Sequence, residues 1–385
     1  MSAALVEAAP LAVPAPPPVG PFVVLPGGVV PRLGDVEKLL AANRHAEALL
    51  ELEELWPDVV HDLALALRHR LAEAWARMYL GELDRAGDLL RQAELAVRSP
   101  HFEGPEQAEV LFRRGCLAFL SGDVAGAVSR FTRALETNER ARVPSTSLDA
   151  RAHEWRARCH LEQHALEAAR RDADRALDLA ATLGDEQLQA RSLVQAALVA
   201  ERERQWLLAR FHSEQALAIF ERRDDSLACA RVLNNLGGIL FLLGDVHGAV
   251  ARLERSVELA AAAGSDADVA QALSSLAQVQ LRDGHALEAR DRAASAIASL
   301  EGRSDFGYEL ASAELVHAQA LAALGAADSD ERFEQAEQTA RRFGSAGQLA
   351  AALVAHGDAR RDAGDVEASA ELYRSAAQSL QDVHF

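Results

Sequence analysis

Apolar residues recur at helical spacing on both sides of a turn that returns along most of the chain. The turn has a fixed grammar: a small residue, a polar residue, an apolar residue, then Ala. It reads Gly81-Glu82-Leu83 to Ala86, Gly122-Asp123-Val124 to Ala127, Gly244-Asp245-Val246 to Ala249, Gly284-His285-Ala286 to Ala289, and Gly364-Asp365-Val366. With Asn43, His164, Arg204 and Leu324 in the same place, the turns fall at 43, 81, 122, 164, 204, 244, 284, 324 and 364, and every step from 164 onward is 40 residues. Leu233, Leu236, Gly237 and Leu240 before one turn, and Val246, Ala249, Val250, Leu253 and Val257 after it, each trace one face of a helix. Each unit is therefore predicted to be a helical hairpin with about seventeen residues, or about 26 Å, per helix. A hairpin of that size has no core of its own, so neighbours must stack.

Eight of the twelve prolines lie at or before Pro31, and none follows Pro144. The Pro16-Pro17-Pro18 run and the Gly27-Gly28 pair predict an extended or disordered arm over residues 1–33, followed by a solenoid over 34–385. Phe22-Val23-Val24-Leu25 and Val29-Val30 are the apolar stretches with which such an arm would dock as a short strand or plug.

The repeat resembles the tetratricopeptide family. Gly or Ala stands at the eighth position of a unit (Gly115, Ala157, Ala197, Gly237, Ala277, Gly357). Small residues also stand where the helices cross (Ala127, Ala169, Ala209, Ala249, Ala289) and seven residues later (Ala134, Ala176, Ala216, Ser256, Ala296, Ala376). The resemblance implies an all-α, right-handed α-solenoid of about nine stacked hairpins. The period of 40 rather than the usual 34 is similar to the longer repeats of kinesin light chains, of the sensor regions of peptide-responsive bacterial regulators and of activators of the maltose-operon type. HEAT-like arrays share the period but not the Gly/Ala pattern. Two units depart from it: the second carries Arg70, Glu73 and Arg77 at expected apolar positions, and the eighth has a shortened connection over Gly325–Asp330.

The family's ligands, extended peptides or partner helices, lie in the concave groove lined by first helices. Positions 2, 6 and 9 of each unit share a helix face away from the apolar stripe. Position 2 holds Arg151, Arg191, Arg231 and Gln271; position 6 holds Trp155, Gln195, Asn235 and Ser275; position 9 holds Arg158 and Gln278. An asparagine at position 6 grips the peptide backbone in similar repeats, and Asn235 matches it. Its amide offers a donor and an acceptor to any main-chain amide. Three aligned guanidiniums would fork onto an acidic side chain or a C-terminal carboxylate. The competing reading pairs these arginines with acids between repeats, such as Asp185, Asp224, Asp225 and Asp266. Leu372, Tyr373, Ala376 and Ala377 form an apolar face at the last helix, to be covered by the chain's own last residues, by a partner or by a second copy in a homodimer.

Composition narrows the functions. Hydrophobic residues make up 49% of the 385 but aromatics only 5%, so Ala and Leu dominate, as in packed helices. Acids outnumber bases 58 to 40, a net charge of −18, which opposes direct nucleic-acid binding. Residues 301–385 are the more acidic end, with fifteen acids against seven arginines. Lys38 is the only lysine, an arginine bias that fits a GC-rich bacterial genome. Cys116, Cys159 and Cys229 have no paired spacing, which fits a reducing cytoplasm, and no eighteen-residue apolar run or secretory leader is present. No phosphate loop, nucleophile elbow or His-Glu-x-x-His occurs, so no catalysis and no cofactor are expected. His153, His160, His164 and Cys159 fall on one stripe of zinc-binding residue types, but the repeat register assigns them to packing and turn positions. The expected function is a non-catalytic scaffold for a peptide or partner protein. The alternatives are a signal-sensing transcriptional regulator lacking its own helix-turn-helix, and a homo-oligomeric assembly module.

Overall fold

The computed structural model describes residues 28–381 apart from 42, 43, 103 and 301–305. Among these residues there are eighteen helices and no strand. In chain order they are α1 Val29–Ala41, α2 His45–Val59, α3 Leu63–Tyr79, α4 Leu83–Ala96, α5 Pro105–Leu120, α6 Val124–Glu139, α7 Thr146–Glu162, α8 Leu166–Leu183 and α9 Glu186–Arg202. There follow α10 Trp206–Arg222, α11 Ser226–Leu242, α12 Val246–Ala262, α13 Asp266–Arg282, α14 Ala286–Ser299, α15 Gly307–Ala323, α16 Ser329–Phe343, α17 Ala346–Asp362 and α18 Val366–Gln381. Successive helices pair as hairpins, and within each of two compact units the hairpins stack in the manner of an α-solenoid. First helices of successive hairpins touch, α3 with α5, α5 with α7 and α7 with α9, and likewise α11 with α13, α13 with α15 and α15 with α17. The described residues form two compact units, one up to Ile219 and one from Phe220.

The turn grammar has a direct backbone cause. Gly81, Gly122, Gly244, Gly284 and Gly364 all adopt positive φ, between 78° and 90°. The N–H three residues past the helix then reaches back five residues, as in Asp123 to Ala118 O (2.8 Å) and Asp245 to Leu240 O (2.9 Å), which satisfies an otherwise orphaned carbonyl. Asp123 and Asp245 next cap the following helix by accepting from the Gly126 and Gly248 amides, both at 2.8 Å. His164 and Arg204 take the same left-handed conformation without being glycine, at φ 56° and 61°. In the eighth unit the left-handed residue is Gly325 (φ 69°), not Leu324; α15 has the same 17 residues as α13, so the residue beyond the period of 40 falls ahead of α15. Asn43 lies outside the described residues.

The small eighth position is a steric requirement. A Cβ added to Gly115 would lie 2.6 Å from the Phe131 ring, and one at Gly357 would lie 2.8 Å from Tyr373. The helices of a hairpin therefore touch through backbone on one side and a large side chain on the other.

Three expectations need correction. Helix α1 begins at Val29, inside the stretch predicted to be extended, with Pro31 in its first turn, where a missing N–H breaks no helical bond. The rest of the predicted arm, 1–27, lies outside the described residues. In the second unit, Arg77 donates to Glu73 (2.8 Å) and Glu82 (2.6 Å) and Arg70 lies over the Trp56 ring, so charged residues fill those positions without loss of the turn at Gly81. At the last helix, Leu372, Tyr373 and Ala376 are turned onto α17, against Leu349, Ala350, Leu353 and Gly357. Of the predicted apolar face, only Ala377 is exposed.

Candidate functional site

The two units treat positions 2, 6 and 9 differently. In the unit up to Ile219, Arg151 on α7 is 2% exposed and donates with both Nη atoms to Glu109 on α5, at 3.2 and 2.7 Å. Arg113, one turn along α5, donates to the same carboxylate at 2.8 Å. Burial works against a charged Glu109, but the Arg151 and Arg113 guanidiniums outweigh it and bring its pKa down to about 2. Arg191 on α9 repeats the arrangement, donating to Glu154 on α7 at 2.9 and 2.6 Å. Trp155, 1% exposed, is a core residue edge-on to Trp75 and Phe119. Arg158 is buried over the Phe119 and Trp155 rings, and Gln195 is 2% exposed.

An open arginine wall is therefore absent from this unit. The guanidiniums of Arg151 and Arg191 already hold carboxylates. Those carboxylates are Glu109 and Glu154, not the inter-repeat acids the sequence suggests. Asp185 and Asp225 instead cap helices by accepting from the Leu188 and Ala228 amides, and Asp224 takes a left-handed turn (φ 54°). The reason is position: the acids sit on the facing first helix, one repeat away, and the side chains meet across the helix–helix contact.

In the unit from Phe220 the same face stays partly open. Arg231 on α11 donates to Asp268 on α13 at 2.8 and 3.0 Å, and the Ser265 hydroxyl holds the same carboxylate at 2.5 Å. The Arg231 side chain keeps 21% of its exposure, and its Nη1 donates to no described residue. Around this pair a pocket is lined by Asn234, Asn235, Gln271, Ser256 and Ala230. Ser256 is spoken for, since its hydroxyl donates to Ala230 O at 2.7 Å. The side chains of Asn235 and Gln271 are half-buried and make no hydrogen bond with a described residue, and Asn234 Oδ1 is buried without a partner. Ser275 and Gln278 follow on α13, half-buried and outside the pocket. Asn234, Asp268 and Ser256 were not among the residues expected at the site. Asp268 carries a readable signal, since it lies 37 residues after Arg231, close to one repeat.

The histidine stripe of α7 is a packing feature. His153 Nδ1 lies 2.7 Å from Asp172 Oδ1 on α8, Arg156 forks onto the same carboxylate with two bonds of 2.7 Å, and His160 stands 3.6 Å away. His164 sits at the turn. Among the described residues no group of three or more His, Cys, Asp or Glu is placed to hold a metal ion. Cys116, Cys159 and Cys229 are buried free thiols. Burial pushes the thiol of Cys159 up to about 12 and that of Cys229 to about 11, far from a nucleophile's range. No described helix is long and apolar enough to cross a membrane.

Comparison with known proteins agrees with this architecture. The tetratricopeptide repeat profile matches residues 228–302. A Rap protein complexed with competence and sporulation factor superposes with a TM-score of 0.69 at 18% identity, over 92% of this chain and 98% of that one. The apo quorum sensor NprR from B. thuringiensis gives 0.69 at 15% identity, over 91% and 98%. NprR in complex with its cognate peptide NprX gives 0.61 at 14% identity, over 92% and 100%. No curated protein matches the chain. At these identities the likeness is one of fold.

Proposed function

We propose that this chain, a tetratricopeptide-repeat solenoid of the long-repeat type, is a non-catalytic receptor for an extended peptide in a reducing compartment, and that Arg231, Asn235 and Gln271 grip the ligand. The observation that carries the reading is the pocket itself. Two amide side chains with unused donors and acceptors flank a guanidinium whose outer nitrogen is also unused. Amides of this kind suit a peptide main chain of any sequence, and the Arg231–Asp268 pair fixes their surroundings without consuming them. Nη1 of Arg231 is the unused cationic donor among the described residues of this pocket, so any preference for acidic or C-terminal groups rests on this arginine rather than on three. Ser275 and Gln278 would extend the contact along α13. Arg151, Trp155, Arg158, Arg191 and Gln195 would hold the scaffold behind it. The likeness to NprR with its cognate peptide supports the class of ligand.

The test is affinity selection from a synthetic random heptapeptide library on the full chain, with free and with amidated C-termini. Retention by the wild type, lost at least about tenfold in Asn235→Ala and Gln271→Ala with unchanged circular dichroism, is expected. No retention by the wild type removes the peptide reading, and equal retention by the variants removes the site.

Likeness to a quorum sensor over 91% of the chain favours a second reading, that the bound signal controls a transcriptional partner. With a net charge of −18 the chain would act through that partner rather than touch DNA. Retardation of duplex DNA by the pure chain at low salt would contradict that form.

A further inference from the structure

The eighth hairpin carries polar groups where its neighbours carry hydrocarbon. Counted back from the left-handed residue of each turn, Glu314 stands where Leu193, Leu233, Leu273 and Leu353 stand in other repeats. His317 stands where Leu236 and Leu276 stand. The extra residue ahead of α15 conceals this, because a strict period of 40 puts Ala313 and Val316 in those places.

Where such exchanges occur elsewhere in the array, the structure supplies partners. His153 and Arg156 share Asp172, and His356 has Glu337 at 2.8 Å. In the eighth hairpin no charged partner stands opposite either residue, and Glu314 is only partly satisfied. Glu314 is 5% exposed, and its Oε2 is buried with no hydrogen-bond partner. His317 makes no hydrogen bond with a described residue. Both line a cavity of about 190 Å³ between α14, α15 and α16, whose other walls are Ala294, Ile297, Arg332 and Gln335. Burial raises the Glu314 carboxyl, against the pull of hydrogen bonds from Thr339 and Gln335, and lowers the His317 imidazole.

Gln335 sets the geometry of the cavity. Its Nε2 donates to Glu314 Oε1 at 2.7 Å, while its Oε1 accepts from Arg332 Nη1 at 3.1 Å. The acid and the guanidinium are thus tied to opposite ends of one amide and form no ion pair with each other. Arg332 Nε, 3.6 Å from Asp328, makes no hydrogen bond. A ligand filling this space meets an acceptor at one end, a cationic donor at the other, and a hydrocarbon wall of Ala294 and Ile297. A metal ion would find two ligating side chains and a guanidinium. A purely apolar guest would leave Glu314 Oε2 and the His317 ring unpaired at a desolvation penalty.

We propose that this cavity binds a small zwitterion with an aliphatic side chain, a free α-amino acid of the leucine or valine kind. Glu314 takes the ammonium group, Arg332 the carboxylate, and Ala294 with Ile297 the hydrocarbon. The site is separate from the Asn235 pocket and does not rest on peptide binding there.

Calorimetric titration of the full chain with L-leucine tests it, beside leucinamide, which lacks the carboxylate, and 4-methylpentanoate, which lacks the ammonium. The expected result is one saturable leucine site, with both analogues weaker by at least about tenfold, since each leaves one buried polar atom, Arg332 Nε or Glu314 Oε2, unanswered. Glu314→Leu, which restores the residue of the neighbouring repeats and so keeps the fold, abolishes the binding. Arg332→Gln weakens it at least about tenfold. Binding should also release a proton from Glu314 near its raised pKa, seen as heats that vary with the buffer's ionisation enthalpy. No leucine binding at millimolar concentration overturns the proposal, as does leucine binding retained in Glu314→Leu. Leucinamide binding as tightly as leucine overturns it too, by showing a site for cations alone.

Discussion

In the unit up to Ile219, positions 2, 6 and 9 carry Arg151, Trp155, Arg158, Arg191 and Gln195, and all are buried. In the unit from Phe220 they carry Arg231, Asn235, Gln271, Ser275 and Gln278, and all remain half-exposed. The backbone is the same in both, helix on helix at a period near 40. What differs is the core beside position 6 and the surroundings of the ion pair. Trp155 joins Trp75, Phe112 and Phe131 in one aromatic core, while the core clusters of the second unit are built mainly of Ala, Leu and Val. Trp155 and Gln195 are both drawn into the core at position 6, whereas Asn235 and Ser275 stay half-exposed there. On the proposed reading, one repeat serves as a rigid scaffold in one unit and as a recognition surface in the other.

The sharpest way to break this comparison is Glu109→Leu. It leaves two buried guanidiniums, Arg113 and Arg151, facing hydrocarbon, and should destabilise the unit by about 3–5 kcal/mol. All four tryptophans, Trp56, Trp75, Trp155 and Trp206, lie in this unit, so urea unfolding followed by tryptophan fluorescence reports it selectively. A loss below about 1 kcal/mol would mean that the buried pair is not closed as described.

Acid offers the next largest contrast. A folded-state pKa below the ordinary value means that the unfolded chain binds more protons, so stability falls as the pH falls. Glu109 contributes in full above its ordinary 4.5 and loses its contribution as the pH drops towards about 2. Burial holds His45 at about 4, so its neutral ring begins to oppose folding as the pH falls through 6.5, and does so fully near 4. Glu314, in the other unit, is raised, so protonation favours its folded form. The tryptophan-detected melting temperature should therefore drop by about 5 °C or more between pH 7 and pH 3.5. Equal acid sensitivity of Trp155→Phe, Glu109→Leu and wild type would argue against Glu109 as a source.

How far these differences were legible in the chain depends on how local their causes are. Turns and caps need particular residues, Gly for the left-handed backbone and Asp to cap, so the hairpins and their boundaries read directly from Gly122-Asp123 and Gly244-Asp245. The face shared by positions 2, 6 and 9 was also readable, because helical phase follows from spacing. Whether that face is open was not. Burial of Arg151 depends on Glu109 standing 42 residues away on a neighbouring helix, which is set by how hairpins rotate on one another. The one-residue insertion ahead of α15 defeated the strict period and hid Glu314 and His317 among apparent alanine and valine positions.

A milder test exchanges the open ion pair. Arg231→Leu leaves Asp268 with the Ser265 hydroxyl and a route to solvent through the pocket, so it should cost about 1–2 kcal/mol, well under the Glu109 effect. Chemical unfolding followed by circular dichroism measures it. A loss as large as that of Glu109→Leu would mean that the two faces are equally closed and that the difference in exposure carries no energetic weight.

The smallest stability effect and the largest functional one should coincide at Asn235. Its side chain makes no hydrogen bond with a described residue and lines an open pocket, so Asn235→Ala removes no internal contact and should change stability by no more than about 0.5 kcal/mol. If the amide is held in reserve for a ligand, the same substitution should remove heptapeptide retention. Gln195→Ala, buried at the same position of a neighbouring repeat, should do the reverse, lowering stability by about 1 kcal/mol with retention intact. A variant pair that moves both readouts together would show that position 6 does one job throughout the array, and the division between scaffold and recognition surface would fall with it.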